Sequence, residues 1–216
     1  MKNREKKTEK PMTLVIMGLV AVPMLSFGLV NLSPESPLYT SISRIAWVHG
    51  QWFATFLWAV MVMAVILLLT YRMTATGPLG KRTKTIFLVW QAVNIALVFL
   101  GCVMFPAKGG LEDIRFVNYL HDYLTAVAWI LYGVGLVVYS ALLCRKDRFL
   151  GFLGLGLMAF VFLSSVFFLL NVVDPSSYVG ASAVSEVYII NSLIIYLVVM
   201  YVAQLYTNKI RELMEG

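Results

Sequence analysis

Six apolar stretches, each close to 20 residues long or a little more, are separated by short polar segments; they run from about 12 to 32, 46 to 71, 86 to 105, 119 to 144, 149 to 172 and 185 to 206. A helix needs about 20 apolar residues to cross roughly 30 Å of hydrocarbon. Inside a bilayer each backbone N–H and C=O must be satisfied within its own segment or a closed barrel, so runs of this length read as helices. The expectation is an all-α polytopic transmembrane helical bundle of six spans, filling residues 1–216 as a single domain. Composition agrees: 60% of residues are hydrophobic and only 13% charged, with a mean hydropathy of +0.83. Soluble domains carry about a quarter of their residues as charges, and no soluble fold could hide this much apolar surface.

The basic start, with Lys2, Arg4, Lys6, Lys7 and Lys10 ahead of a long apolar run, has the outline of a signal peptide. However, the run is about 20 residues long and no small-x-small cleavage pattern closes it, so it reads as an uncleaved first span. Pro23 is expected to kink that span. Six spans place both termini on one side, and fourteen of the 17 Lys and Arg fall in the termini and the second and fourth loops; Arg44, Lys108 and Arg115 are the others. By the positive-inside rule both termini are cytoplasmic, in a cell membrane. The formal net charge of +6 then needs no nucleic acid, because anionic lipid of the inner leaflet is a sufficient partner. Cys102 and Cys144 fall toward opposite faces of the membrane, too far apart for a disulfide.

With that orientation, His49, Gln51, His121, Asp122, Tyr123, Glu186 and Tyr188 all come to the outer ends of spans two, four and six, with Asn31, Asn171 and Asp174 nearby. Polar groups in a membrane face the bundle interior or water, so an outward-opening polar pocket is the simplest way to gather them. Each also has a plain structural role: Asp122 and Glu186 in first turns complement the helix dipole, and a histidine at the interface can serve as a hydrogen-bonding group alone. Gln91 and Asn94, three apart on one face of span three, and Asn191 read as interhelical partners. The glycines at 151, 154 and 156 permit close helix approach in span five. HExxH, GxSxG with partners, GxxxxGK[ST] and CxxC are all missing, which removes zinc-protease, hydrolase-elbow, P-loop and thiol-redox readings. The expectation is no cofactor; zinc on His49, His121, Asp122 and Glu186 is the chemically reasonable exception, with a bound water to hydrolyse a lipid ester or amide. A single haem clamped by His49 and His121 is another.

The six spans, Phe105-Pro106 with Gly109 and Gly110 just after span three, and His121 opening span four ahead of Ala126 and Ala128 resemble a bacterial and archaeal six-helix membrane family of unknown function, allied to the FRAG/DRAM type of eukaryotic proteins. Ser41-Ile42-Ser43 before span two is similar as well. The resemblance implies an integral membrane protein without established enzymology, whose eukaryotic relatives are linked to lipid remodelling and membrane organisation. Together these readings point to a protein whose outer pocket engages a lipid headgroup or similar small amphiphile. A metal-assisted lipid hydrolase or transferase is the second reading and a bis-histidine haem protein the third.

Overall fold

The computed structural model describes residues 12–38, 40–105, 120–171 and 182–215; the side chains of Asp122, 167–171 and 215 lie outside that description. All described elements are helical. In chain order they are α1 (Met12–Val30), a short α2 (Ile42–Trp47), α3 (Trp52–Thr76), α4 (Lys81–Met104), α5 (Thr125–Cys144), α6 (Arg148–Asn171) and α7 (Ala183–Glu215). Six of these, all but α2, are long and apolar enough to cross a membrane, the architecture of a multi-pass membrane protein.

Successive helices α3, α4, α5, α6 and α7 pack side by side, and α7 closes the ring against α3. Helix α1 lies on the seam between α3 and α7. The outward faces are apolar and exposed, as at Phe27, Phe53, Ile86, Ile130, Phe152 and Phe162. Inside, the polar side chains Ser26, Thr70, Gln91, Ser140 and Gln204 are buried. Lipid removes the hydrophobic drive to bury Leu or Phe, so interhelical hydrogen bonds and close packing hold the helices together instead.

The bonds are specific. Thr70 of α3 meets the Tyr132 hydroxyl of α5 at 2.9 Å, and Ser140 of α5 meets the Tyr196 hydroxyl of α7 at 2.8 Å. Tyr139 donates to the Met73 carbonyl of α3 at 3.3 Å and accepts from Gln204 of α7 at 3.2 Å. Trp58 of α3 donates to Ser26 of α1 at 2.9 Å.

Several helix ends differ from the hydropathy reading. The second span begins at Trp52, not 46, because Gly50 takes a left-handed backbone (φ 70°) and separates α2 from α3. It ends five residues later than expected, where Gly77-Pro78 stops it. The last helix continues to Glu215 rather than 206; Lys209, Arg211 and Glu212 are good helix formers that a hydropathy window cannot see. Ahead of Pro23 the chain makes a π-helical turn over Met17–Ala21. Proline lacks the N–H and crowds the carbonyl four residues back, and a widened turn relieves that conflict.

Of the three span-five glycines, Gly151 packs against Cys144 and Gly154 against Ser140 at the α5–α6 crossing, whereas Gly156 faces open space. A Cβ at Gly154 would also lie 2.9 Å from the Ser140 Cβ and 3.1 Å from the Met200 Cε. Gly154→Ala should therefore lower stability by about 1–3 kcal/mol through overpacking. Gly156→Ala should change it by less than about 0.5 kcal/mol. Thermal unfolding of the purified variants in one detergent distinguishes the two, and equal effects would refute the close approach.

Candidate functional site

The polar end of the bundle is built around the segment joining α1 to α3. Its two prolines prevent a long helix, and serine hydroxyls take over the backbone donors: Ser33 accepts from the Glu35 N–H at 3.1 Å and Ser36 from the Leu38 N–H at 3.4 Å. Ser41 then caps α2, accepting from the Arg44 N–H at 3.2 Å. This segment and α7 cap one another. The first-turn Ala183 and Val184 N–H groups of α7 reach the Thr40 and Pro37 carbonyls at 2.7 and 3.4 Å, and the Glu186 carboxylate accepts from the Ile42 N–H of α2 at 2.7 Å. Both helix starts thus find partners for N–H groups that have none within their own helix.

Glu35 sits between two basic side chains, 3.2 Å from Arg44 and 3.5 Å from His49 Nε2. Burial alone would raise its pKa, but the hydrogen bond and charge of Arg44, reinforced by His49, outweigh that and hold the carboxyl below its ordinary 4.5. Trp47, next to this trio, packs edge-on against Trp52 with ring centroids 6.3 Å apart, and Trp52 stacks on Phe56.

A second group lies across the same end, where two π-helical turns, Leu100–Met104 and Leu120–Leu124, face each other. His121 is buried there, its Nδ1 3.0 Å from the Phe105 carbonyl oxygen. The Cys102 thiol lies 3.7 Å from the Thr125 hydroxyl. Trp52 joins the groups by donating to the Val103 carbonyl at 3.0 Å.

Of the seven expected pocket residues, His49 lies in the turn after α2 and Gln51 at the start of α3, both outside the membrane helix that hydropathy assigned them to. The Gln51 carbonyl accepts from Thr55. His121 sits on the α4–α5 rim, Tyr123 beside it is exposed, and Glu186 and Tyr188 begin α7. The Asp122 side chain, and the Lys108, Arg115 and Asp174 positions, lie outside the described residues. Among the described residues no three His, Cys, Asp or Glu side chains come together as a metal-holding group: His49 faces Glu35, His121 faces a carbonyl and Glu186 faces a backbone N–H. Two shallow hollows lie elsewhere, between α4 and α5 and between α6 and α7.

Sequence reasoning passed over Glu35, Thr40 and Trp47 as members of this site. One acid and one base in a short proline-broken loop was the available signal, and these two, Glu35 and Arg44, are the pair that meets. Because the folded-state pKa of Glu35 is depressed, its ion pair with Arg44 stabilises the fold fully above about pH 4.5 and loses that effect as pH falls through the folded value. Glu35→Gln should consequently unfold at a lower temperature than the unsubstituted protein at pH 7, with the gap closing as the pH is taken below 4. A gap that stays constant with pH would contradict the ion-pair geometry. No known protein family, curated protein or solved structure matches this chain.

Proposed function

We propose that the polar end binds the polar headgroup of a membrane lipid or a similar small amphiphile. The reading rests on one observation: among the described residues Thr40 Oγ1 and Trp47 Nε1 are buried without a hydrogen-bond partner, and Glu35 Oε2 and His49 Nε2 find only each other, as a long ion pair, all four within the single segment between α1 and α3. The closest approach among them, His49 to Glu35 at 3.5 Å, is too long for a good hydrogen bond. Leaving such a group unsatisfied costs about 1–3 kcal/mol. A ligand that supplies the missing partners recovers that cost on binding.

The chemistry of the four atoms selects the ligand class. The Trp47 N–H donates only, His49 donates or accepts according to its tautomer, and the Glu35 carboxylate accepts. A phosphate or ester oxygen suits the first two, and an ammonium or hydroxyl group suits the third. A lipid headgroup carries both kinds on one small body. The indole rings of Trp47 and Trp52 are at home at the depth where headgroups lie. The bias of Lys and Arg toward the other end supports an outward-facing site in a cell membrane.

Binding of a short-chain phospholipid to the purified protein, followed by calorimetry, tests this. Trp47→Phe keeps the ring and removes the N–H, and should weaken binding by about 10- to 150-fold, the worth of one hydrogen bond to a charged group. His121→Ala, which frees the Phe105 carbonyl at the α4–α5 rim, should impair binding more than Asn94→Ala, whose amide bonds within α4 at the Trp90 carbonyl. Unchanged affinity in Trp47→Phe, or equal losses in the other two, would overturn the proposal.

A further inference from the structure

A separate feature stands toward the opposite, basic end of the bundle, away from the proposed headgroup site. A groove of about 480 Å³ runs along the outside of the α4–α5 contact, walled by Ile86, Val89, Trp90, Val93 and Leu97 of α4 and by Leu131 of α5. Beside the groove Gly135 of α5 lets α4 approach closely, since a Cβ there would lie 2.9 Å from the Trp90 ring and from the Gln91 amide. The polar atoms near its surface are already engaged: the Trp90 N–H donates to the Leu131 carbonyl, the Asn94 amide to the Trp90 carbonyl and the Thr85 hydroxyl to the Lys81 carbonyl. The wall that remains offers apolar surface and little else.

Length and charge identify the occupant. From Thr85 to Leu97 is twelve residues, about 18 Å of helix at 1.5 Å per residue. One leaflet of a bilayer with roughly 30 Å of hydrocarbon is about 15 Å deep. A partner helix would run along the whole of α4, whereas this hollow stops at Leu97, seven residues short of the helix end at Met104. Lys81 and Arg82 stand four residues before Thr85 and Ile86, so they continue the same helix face one turn beyond the groove. Both are exposed, and neither makes an ion pair among the described residues. Lys84 is differently placed, donating to the Ala75 carbonyl at 2.8 Å.

We propose that this groove holds one acyl chain of an anionic phospholipid whose phosphate rests on Lys81 and Arg82. Basic side chains at the mouth of a crevice between membrane helices are a recurrent way to select anionic headgroups, and two cationic partners near the surface favour such a lipid by about tenfold or more over a zwitterionic one.

Native mass spectrometry of the full chain, equilibrated in detergent with equimolar phosphatidylglycerol and phosphatidylcholine, provides the test. The unsubstituted protein should retain one phosphatidylglycerol with a preference of about tenfold or more. Lys81→Gln with Arg82→Gln should bring retention down to the phosphatidylcholine level, and Val93→Trp, which fills the groove, should lower retention of both lipids. Arg145→Gln with Lys146→Gln, a pair at the same end beyond α5, should leave the preference intact. Equal retention of the two lipids by the unsubstituted protein would overturn the proposal. So would an Arg145/Lys146 variant that loses the preference as fully as the Lys81/Arg82 variant, because the selectivity would then belong to the whole basic surface. Lys81 and Arg82 are exposed, so their replacement decides the matter even if Val93→Trp does not fold.

Discussion

Three tyrosines hold the bundle together. Tyr132, Tyr139 and Tyr196 are fully buried, and each sends its hydroxyl across the helix ring to a helix that is not its neighbour: to Thr70, to Met73 and Gln204, and to Ser140. In lipid a leucine core gains little from burial, because the surroundings are as apolar as the core. A hydroxyl that would otherwise sit unpaired in hydrocarbon gains a partner only in one arrangement of helices. Two of these tyrosines belong to α5, which lies across the ring from α7 and reaches α3 through its side chains. The tyrosines therefore fix which helices face one another, and the packing glycines follow from that choice, since α5 can meet α6 closely only where Gly151 and Gly154 leave room.

The hydropathy of the chain made the six spans and their polar ends legible, because a membrane imposes the same demand on every spanning segment. It could not place the break at Gly50, where a backbone angle decides, nor the extension of α7 past 206, where helix formation continues without apolar residues. Consequently His49 and Gln51 were assigned to the right end of the right segment but to the wrong element. The gathering of His49 with Glu35, and of His121 with a carbonyl instead of with His49, depends on ring order and on a proline-broken loop. Neither has a period that a sequence reading can detect. The pairing of Glu186 with the Ile42 N–H, across 144 positions, is of the same kind.

The two ends of the bundle treat their polar groups in opposite ways. At the basic end, Thr76, Gln204, Tyr139 and Asn208 form a closed set in which Thr76 donates to Gln204, Gln204 to Tyr139 and Asn208 to the Thr76 carbonyl. Asp147 caps α6 through the Leu150 N–H and lies 3.8 Å from Arg211. At the polar end, the starts of α2 and α7 cap one another, yet among the described residues four side-chain atoms in one loop are buried without a hydrogen-bond partner, two of them meeting only as the long Glu35–His49 ion pair. The remaining unpartnered atoms of the spanning helices, on Gln91, Ser165 and Asn191, belong to three different helices. A cost spread thinly over a bundle is ordinary, whereas a cost concentrated in one loop is local, and a local cost is what a ligand can relieve. The same reasoning separates the α4–α5 groove from a headgroup site: its polar atoms are satisfied, its wall is apolar, and its charges stand at one mouth. The chemistry of each place thus points to a different part of a lipid, the headgroup at the polar end and the chain with its phosphate at the basic end.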